Sequence, residues 1–195
     1  MDKSELDQYV GRYRRGVDEV VSVRRENSYL VESINGGNDI YCFPVAKDTI
    51  VFTDFNIKGT FGRDEKGNVI SLKSEYQDKP MPKMRDDEFT PSEHLKAKRY
   101  TPAKEGFRQM KLNEYQITYL AYELFYRKPN DLQAVKTILE LALEQHPNSA
   151  IVYARRGDFY LSQNDKANAG KSFQKALELD PNDKELVKKL RELGN

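Results

Sequence analysis

The sequence is poor in the residues from which catalytic and metal sites are most often built. Among its 195 residues it has no tryptophan, one cysteine and two histidines. The single cysteine, Cys42, excludes an internal disulfide and a cysteine-based metal site, and we interpret it as a small buried apolar residue. His94 and His146 have no partner at metal-ligand spacing and are interpreted as solvated side chains. We therefore predict no catalytic residue, no metal site and no cofactor.

The sequence also lacks an excess of charge and any long apolar run. Its 32 basic and 31 acidic residues leave a formal net charge of +1, so no overall field attracts nucleic acid or an anionic membrane. Two short arginine groups, within 12–15 and 24–25, are interleaved with acidic residues and indicate a solvated strand face. No apolar run approaches the ~20 residues that cross a bilayer, and the N-terminal residues do not resemble a signal peptide. These absences predict neither a nucleic-acid partner nor a membrane span.

Residues 1–85 have the pattern of an antiparallel β domain. They are rich in Val, Ile, Phe, Tyr and Thr, and turn residues interrupt them at 35–38, 46–48 and 64–68. Asn and Gly at such turns tolerate the positive φ that tight hairpins need. Alternation of apolar and polar side chains predicts that Ile57, Gly59 and Phe61 share one face, and that Ile70 and Leu72 share another. We predict seven or eight short strands in a meander that closes into a barrel or a curved half-barrel.

Residues 86–112 differ in character from both flanks. They are charged and contain Pro91, Pro102 and Gly106, which are typical of a connector. We predict a linker with one helical turn after Pro91.

Residues 113–195 change to a helical period and repeat themselves. The segment "LELALEQHPNS" at 139–149 recurs as "FQKALELDPND" at 173–183, which is 34 residues later. Four tyrosines at positions 115, 119, 122 and 126 lie on one face of the first predicted helix, and we interpret them as repeat core. A 34-residue period with two helices per unit is typical of stacked helical hairpins. We predict two such hairpins and a fifth helix as a cap, with Lys184, Lys188, Lys189 and Glu192 facing outward.

The second unit resembles a tetratricopeptide repeat. It has the aromatic, glycine and alanine positions of that family at the family's spacing, and a proline in the turn that follows. The matching residues are Tyr153, Gly157, Tyr160, Ala169, Phe173, Ala176 and Pro181. The first unit matches less well in the same 34-residue register, because Glu123 stands where the family has glycine. Since one unit cannot bury its own apolar face, the first helix needs a cover from the β domain, the connector, another domain or a second copy.

The resemblance implies a binding groove lined by the first helix of each unit. In the 34-residue register, its lining residues are Ile117, Leu120, Leu124, Ala154, Asp158 and Leu161, with Arg127 at the rim. Tetratricopeptide repeats that grip acidic chain ends carry Lys and Asn where this sequence has Leu120 and Leu124. We therefore expect an apolar groove for an amphipathic helix or a neighbouring domain, and not for an acidic chain end.

The β domain contains three short motifs within about residues 5–85: Tyr9-x-Gly11-x-Tyr13, Phe43-Pro44-Val45, and the hairpin from Phe61 to Val69. In these motifs it resembles the lipocalin-like C-terminal domain of bacterial serine hydrolases of the beta-lactamase and penicillin-binding-protein class. It implies a non-catalytic accessory region and export from the cytoplasm, which nothing else in the sequence indicates. The nucleophile motif of that class, Ser-x-x-Lys, occurs at 172–175, but Phe173 is a core position of a repeat helix. We interpret this match as accidental.

The sequence thus predicts a two-domain α+β protein: a lipocalin-like antiparallel barrel followed by helical repeats with a cap. The first hypothesis is an accessory region that contacts a protein partner or an adjacent catalytic domain. The alternatives are a stand-alone protein that binds a small ligand in its barrel and a free-standing repeat scaffold. A homo-oligomer remains open, as does the compartment.

Overall fold

The chain divides into two compact units. The computed structural model describes residues 3–53 and 56–194, and the units meet in sequence between Thr90 and Pro91. We call residues 1–90 the barrel unit and residues 91–195 the helical unit. The boundary lies inside the segment that was predicted to be a connector.

The barrel unit is an eight-stranded antiparallel meander, and this confirms the predicted fold class. Strand order follows chain order from β1 to β8. The sheet closes where Tyr13 forms a bridge with Lys83 and where the Met84 amide donates to the Arg12 carbonyl at 2.7 Å. The strands are β1 (Gly11–Arg14), β2 (Val20–Glu26), β3 (Tyr29–Ile34), β4 (Asp39–Ala46), β5 (Thr49–Phe52), β6 (Ile57–Arg63), β7 (Val69–Ser74) and β8 (Met81–Pro82).

A short helix that the sequence did not predict, α1 (Lys3–Asp7), adds to the barrel core. Leu6 is fully buried in that core. Tyr9, just after the helix, stacks on Phe61 with ring centroids 4.3 Å apart and donates its hydroxyl hydrogen bond to Asp48. Because Asp48 lies in the β4–β5 turn, these contacts place α1 at the end of the barrel that carries this turn.

The predicted alternation fails at one place in β7. Leu72 is fully buried in the barrel core, whereas Ile70 is 47% exposed. The pairing of β6 with β7 skips Ile70, since Gly62 pairs with Ser71 and Arg63 pairs with Val69. An extra residue in one strand reverses the faces beyond it, so Val69 is buried in place of Ile70.

The helical unit contains seven helices within the described residues. The predicted connector holds two of them, so it is more than a linker with one turn. The helices are α2 (Pro91–Lys96), α3 (Tyr100–Met110), α4 (Glu114–Tyr126), α5 (Leu132–Gln145), α6 (Ala150–Ser162), α7 (Lys166–Leu179) and α8 (Lys184–Leu193).

Proline and glycine do not break α3, for separate physical reasons. Pro102 lies in its first turn, where backbone N–H groups have no partner inside the helix and proline loses nothing. A Cβ on Gly106 would lie 2.5 Å from Pro91 Cγ, so glycine here permits the close approach of α2 and α3. The sequence suggested a break because these two residues commonly end helices.

Helix α3 supplies the cover that the first repeat helix needs. Ala103 and Phe107 are buried in the same core cluster as Ile117 of α4. The Tyr100 hydroxyl donates to Asp131 at the start of α5, and Arg108 bonds Glu144 near its end. These contacts make α3 run parallel to α5, as the second helix of a preceding hairpin would.

No helix in the described part of the chain is long and apolar enough to span a membrane.

Candidate functional site

The second helices of the two hairpins follow the predicted 34-residue period. Helices α5 and α7 both have 14 residues, and their N-caps, Asp131 and Asp165, lie 34 residues apart. Ala142 and Ala176 occupy corresponding positions, and both are fully buried. The period read from the sequence therefore applies to these helices.

The first helices follow a period of 36 residues. Helices α4 and α6 both have 13 residues, but their N-caps, Asn113 and Ser149, lie 36 residues apart. The turn from α4 to α5 covers residues 127–131, while the turn from α6 to α7 covers only residues 163–165. The first hairpin therefore has a turn two residues longer than the second.

This longer turn moves the packed face of α4. Two residues correspond to about 200° of rotation around a helix of 3.6 residues per turn. The buried residues of α4 are accordingly Ile117, at 0% exposure, and Ala121, at 2%. Ile117, Ala121 and Leu124 repeat the spacing of Tyr153, Gly157 and Tyr160 in α6. Ala121 is thus the counterpart of Gly157, and the predicted counterpart, Glu123, is exposed.

The four tyrosines of α4 lie on the surface, so their predicted place in the repeat core is wrong. Tyr115, Tyr119, Tyr122 and Tyr126 are 66%, 60%, 40% and 61% exposed. The rings of Tyr119 and Tyr122 have centroids 6.3 Å apart, and those of Tyr122 and Tyr126 lie 4.5 Å apart. We call this set the tyrosine face. The rings of Tyr119, Tyr122 and Tyr126 are contiguous along one side of α4, and Tyr115 lies one turn before them.

A cavity of about 320 Å³, including the part that opens to solvent, lies beside the tyrosine face. Its apolar floor comes from Ala121 of α4 and from Val135 and Leu139 of α5, all of which are at most 3% exposed. Residues of α4 and α6 form the walls and the charged rim; they are Tyr122, Phe125, Tyr126, Arg155, Asp158 and Phe159. The cavity is therefore an apolar pocket with aromatic walls and one charged side.

The charged side is organised by Arg155. Its guanidinium lies over the Tyr122 ring, 5.2 Å from the centroid. The nearest carboxylate oxygen is that of Asp158, at 3.6 Å, and Asp158 is itself bound by Lys189 Nζ at 2.6 Å. Arg155 Nε has no hydrogen-bond acceptor among the described residues. Lys189 was predicted to face outward, but it points back to neutralise Asp158.

The predicted groove residues lie at different depths. Ile117 is fully buried, and Leu120 and Leu124 are half-buried against the core of the first hairpin. Ala154 packs on the core of the second hairpin, and Asp158 lines the cavity. Leu161 is 40% exposed, and Arg127 is exposed at the C-cap of α4. Binding along this set remains a prediction.

One sequence signal could have revealed the shifted register. Asn113 and Gln116 form a capping box, in which each side chain accepts a hydrogen bond from the other residue's backbone N–H. The pattern Asn-x-x-Gln before an apolar run marks a helix start. Aligning Asn113 with Ser149, the cap of α6, gives the 36-residue spacing directly.

The repeat-signature residues meet at the crossing of α6 and α7. A Cβ on Gly157 would overlap the Phe173 ring, so the glycine lets the two helices approach closely. Ala169, Phe173 and Ala176 are fully buried, and Tyr153 and Tyr160 pack against them. Pro181 lies in the turn between α7 and α8.

The polar side chains considered for chemistry have structural partners. The Ser172 hydroxyl is buried and donates to the Asn168 carbonyl at 2.8 Å, and Lys175 binds Glu178. His146 Nε2 lies 2.8 Å from the Leu112 carbonyl. Within residues 3–53 and 56–194, no group of His, Cys, Asp and Glu is placed to hold a metal ion.

Comparisons with known proteins bear on the helical unit. The family model described as "Tetratricopeptide repeat" matches residues 150–183. A solved structure titled "First TPR of Spaghetti (RPAP3) bound to HSP90 peptide SRMEEVD" is 21% identical, with a TM-score of 0.39, and the match covers 53% of this chain and 84% of that one. Such a weak likeness identifies neither fold nor ligand.

A search of curated proteins finds no match. The resemblance of residues 5–85 to a lipocalin-like domain of serine hydrolases has no support in these comparisons and remains a prediction. The matched segment coincides with α6, α7 and the turn that follows, where Gly157 and Phe173 meet. Residues 150–183 are therefore a tetratricopeptide repeat.

Proposed function

We propose that the helical unit is a protein-interaction module that binds a segment of a partner protein on the tyrosine face and in the cavity beside it. The observation that carries this proposal is the 40–66% exposure of four tyrosines on one helix. Contiguous exposed apolar patches are a common mark of protein-interaction sites. Tyrosine is also enriched among the residues that dominate binding energy at protein interfaces.

The cavity adds a specific anchoring point to this surface. Its floor is apolar and its walls are aromatic, with one charged side at Arg155 and Asp158. Pockets that bind their ligands well combine apolar lining with a few placed polar groups. The tetratricopeptide repeat at 150–183 supports the same role, because stacked hairpins present extended surfaces for partner chains.

We further propose that the groove does not grip an acidic chain end. In the 36-residue register, Thr118 and Tyr122 replace Leu120 and Leu124 at the positions where acidic-end binders carry Lys and Asn. Thr118 is 1% exposed, and its hydroxyl donates to the Glu114 carbonyl at 2.6 Å. Neither residue offers a positive charge.

Selection of binders from a display library of random peptides tests the module role. Peptides selected on the full chain should lose at least about tenfold in affinity for Tyr122→Ala, because truncating an interface anchor has effects of this size. The matched control is Tyr76→Ala, which removes a 78% exposed tyrosine from the barrel unit and should leave affinity unchanged. Circular dichroism checks that both variants fold. Failure to select any peptide, or equal affinity of wild type and Tyr122→Ala, would contradict the proposal.

A second candidate function is the binding of a small ligand inside the barrel. The observation that favours it is the buried carboxylate of Glu32. Glu32 is 7% exposed, and its strand alternation places it on the interior face with Leu30. Its Oε2 atom has no hydrogen-bond partner in the described part of the chain. A donor group on a ligand would supply that partner. A panel of small apolar amines should raise the melting temperature of wild type above pH 7 and leave that of Glu32→Gln unchanged; equal shifts, or none, contradict this candidate.

A finer proposal places the barrel unit beside the catalytic domain of a serine hydrolase as an accessory region. The motif order in residues 5–85 supports it, as does an exposed apolar strip on β4 with Tyr41, Phe43 and Val45 at 42–58% exposure. The genomic test is whether a Ser-x-x-Lys domain is encoded with or beside this chain. A second copy of the chain is a further candidate partner, and light scattering of the purified protein tests it.

A further inference from the structure

The cavity floor selects for an apolar side chain. Ala121, Val135 and Leu139 offer no polar atom from their side chains, and they are almost completely buried. A charged or amide group placed on this floor would lose its hydrogen bonds to water without replacing them. The aromatic walls, Tyr122 and Phe159 among them, add ring faces that pack well on aliphatic or aromatic groups.

The rim of the same cavity carries Arg155, whose Nε has no hydrogen-bond acceptor among the described residues. Asp158 lies 3.6 Å from Arg155, beyond hydrogen-bond distance, and its other oxygen is bound by Lys189 at 2.6 Å. The Arg155 side chain is 39% exposed, so water and a ligand can reach its guanidinium. The guanidinium carbon lies 5.2 Å from the centroid of the Tyr122 ring, which is within the range of a cation–π contact. A carboxylate from outside can bind the guanidinium at its exposed side.

The balance of charge around the cavity favours an anion. Arg155 and Asp158 are the charged residues of the lining, and Lys189 compensates Asp158. Arg155, Asp158 and Lys189 together thus carry a net charge of +1, since the two cations share one carboxylate. An acidic group complements it, whereas a basic group would meet two cations beside one anion.

We infer that the partner segment carries a large apolar side chain close in sequence to an acidic one. This inference rests on the proposed function of the helical unit. The apolar side chain fills the cavity above Ala121, Val135 and Leu139, and the carboxylate binds the Arg155 guanidinium. The recognised element lies within a chain, since the groove has no Lys and Asn pair for a terminal carboxylate.

Parallel selections on wild type and on Arg155→Gln test the inference. Wild type should enrich peptides that combine Leu, Met or Phe with a nearby Glu or Asp, and Arg155→Gln should keep the apolar preference and lose the acidic one. In the strongest wild-type binder, replacing the acidic residue by its amide should lower affinity for wild type about tenfold, because hydrogen bonds to charged groups are the stronger class. The same replacement should change affinity for Arg155→Gln less than about twofold, since the interaction is already absent.

Arg191→Gln serves as the matched control, because it removes one exposed arginine from α8 and should leave both preferences intact. Peptides that require Tyr122 but show no acidic preference would overturn the inference while the proposed function stands. Enrichment of basic residues would also overturn it and would point to Asp158 instead. Selection of no peptide would overturn the inference and the proposed function together.

Discussion

The two helical hairpins share helix lengths and a repeat period in their second helices, yet they present opposite faces of their first helices. In α6, Tyr153 and Tyr160 pack inward beside Gly157, whereas Tyr119 and Tyr126 of α4 face solvent. The physical cause is the five-residue turn at 127–131. A two-residue change in one turn thus moves aromatic residues from the expected core to an exposed surface.

The hairpins also use different pairs of residues at the helix crossing. In the second hairpin, Gly157 leaves room for the large ring of Phe173. In the first, the corresponding residues are Ala121 and Leu139, which lie in one core cluster. The hairpin with the smaller residue in its first helix, Gly157, has the larger residue in its second helix, Phe173. Close-packed interiors require such compensation in volume. The Leu139 side chain is smaller than that of Phe173, and it lines the cavity.

The largest expected effect separates the two registers of α4. Ile117→Ala should lower the free energy of unfolding by about 3 kcal/mol, as removal of a fully buried aliphatic side chain typically does. Tyr119→Ala should change it by less than about 0.5 kcal/mol, because the side chain is 60% exposed. Urea denaturation measures both. A larger loss of unfolding free energy for Tyr119→Ala than for Ile117→Ala would support the 34-residue register for α4 and contradict the tyrosine face.

A glycine pair tests the tight crossing of the second hairpin. Gly157→Ala places a methyl group against the Phe173 ring and should cost about 2 kcal/mol in unfolding free energy by overpacking. Gly170→Ala, in α7, meets nothing within 4 Å and should stabilise the protein by up to about 1 kcal/mol through helix propensity. Thermal and urea unfolding of the two variants should shift in opposite directions. Equal shifts would show that the crossing is looser than described.

The comparison extends to the polar groups that the two units bury. In the helical unit, the buried hydroxyls of Thr118, Thr137 and Ser172 donate to carbonyls. In the barrel unit, burial raises the pKa of Glu32 to about 7, and Arg15 lowers it only in part. The folded protein therefore binds a proton that the unfolded chain, with an ordinary Glu pKa of about 4.5, has released. Stability from this group falls as pH rises between these two values.

Glu32→Gln should remove that pH dependence. At pH 8 it should raise the free energy of unfolding by on the order of 2 kcal/mol, because no charge is then buried. Below the unfolded pKa, the variant and wild type should be alike. The control is Glu75→Gln, which alters an exposed carboxyl. A wild-type stability that rises from pH 5 to pH 7 more steeply than that of Glu32→Gln would contradict the assigned sign.

The smallest effect concerns the caps of the two second helices. Asp131 accepts from the amides of Gln133 and Ala134 and also from the Tyr100 hydroxyl. Its replacement by Ala should cost about 1 kcal/mol in unfolding free energy. Asp165→Ala should cost less, since among the described residues the Asp165 carboxylate accepts only from Asn168 and has no bond to α3. In a Tyr100→Phe background, the losses of unfolding free energy caused by Asp131→Ala and Asp165→Ala should differ less. An unchanged difference would mean that α3 does not support the Asp131 cap.

Much of the fold followed from local patterns. Turns rich in Asn and Gly fixed the hairpins of the meander, since few residues accept positive φ, and Asn35, Asp48 and Gly67 have φ of 51°, 57° and 84°. The repeat spacing alone was enough to predict that Gly157 lies at a close helix crossing beside Phe173. The linker prediction for 86–112 was wrong because Pro102 and Gly106 commonly end helices, whereas their effect here depends on their positions within α3.

The amino-acid sequence by itself determined which segments become strands and helices, and it determined the repeat at 150–183, because periodicity, caps and turn residues act over a few neighbouring positions. Only the tertiary structure decided which face of α4 is buried, because the length of one turn sets the angle at which that helix meets α5. It likewise brought Arg155, Asp158 and Lys189 together, since their contacts join α6 to α8 across 31 residues of chain.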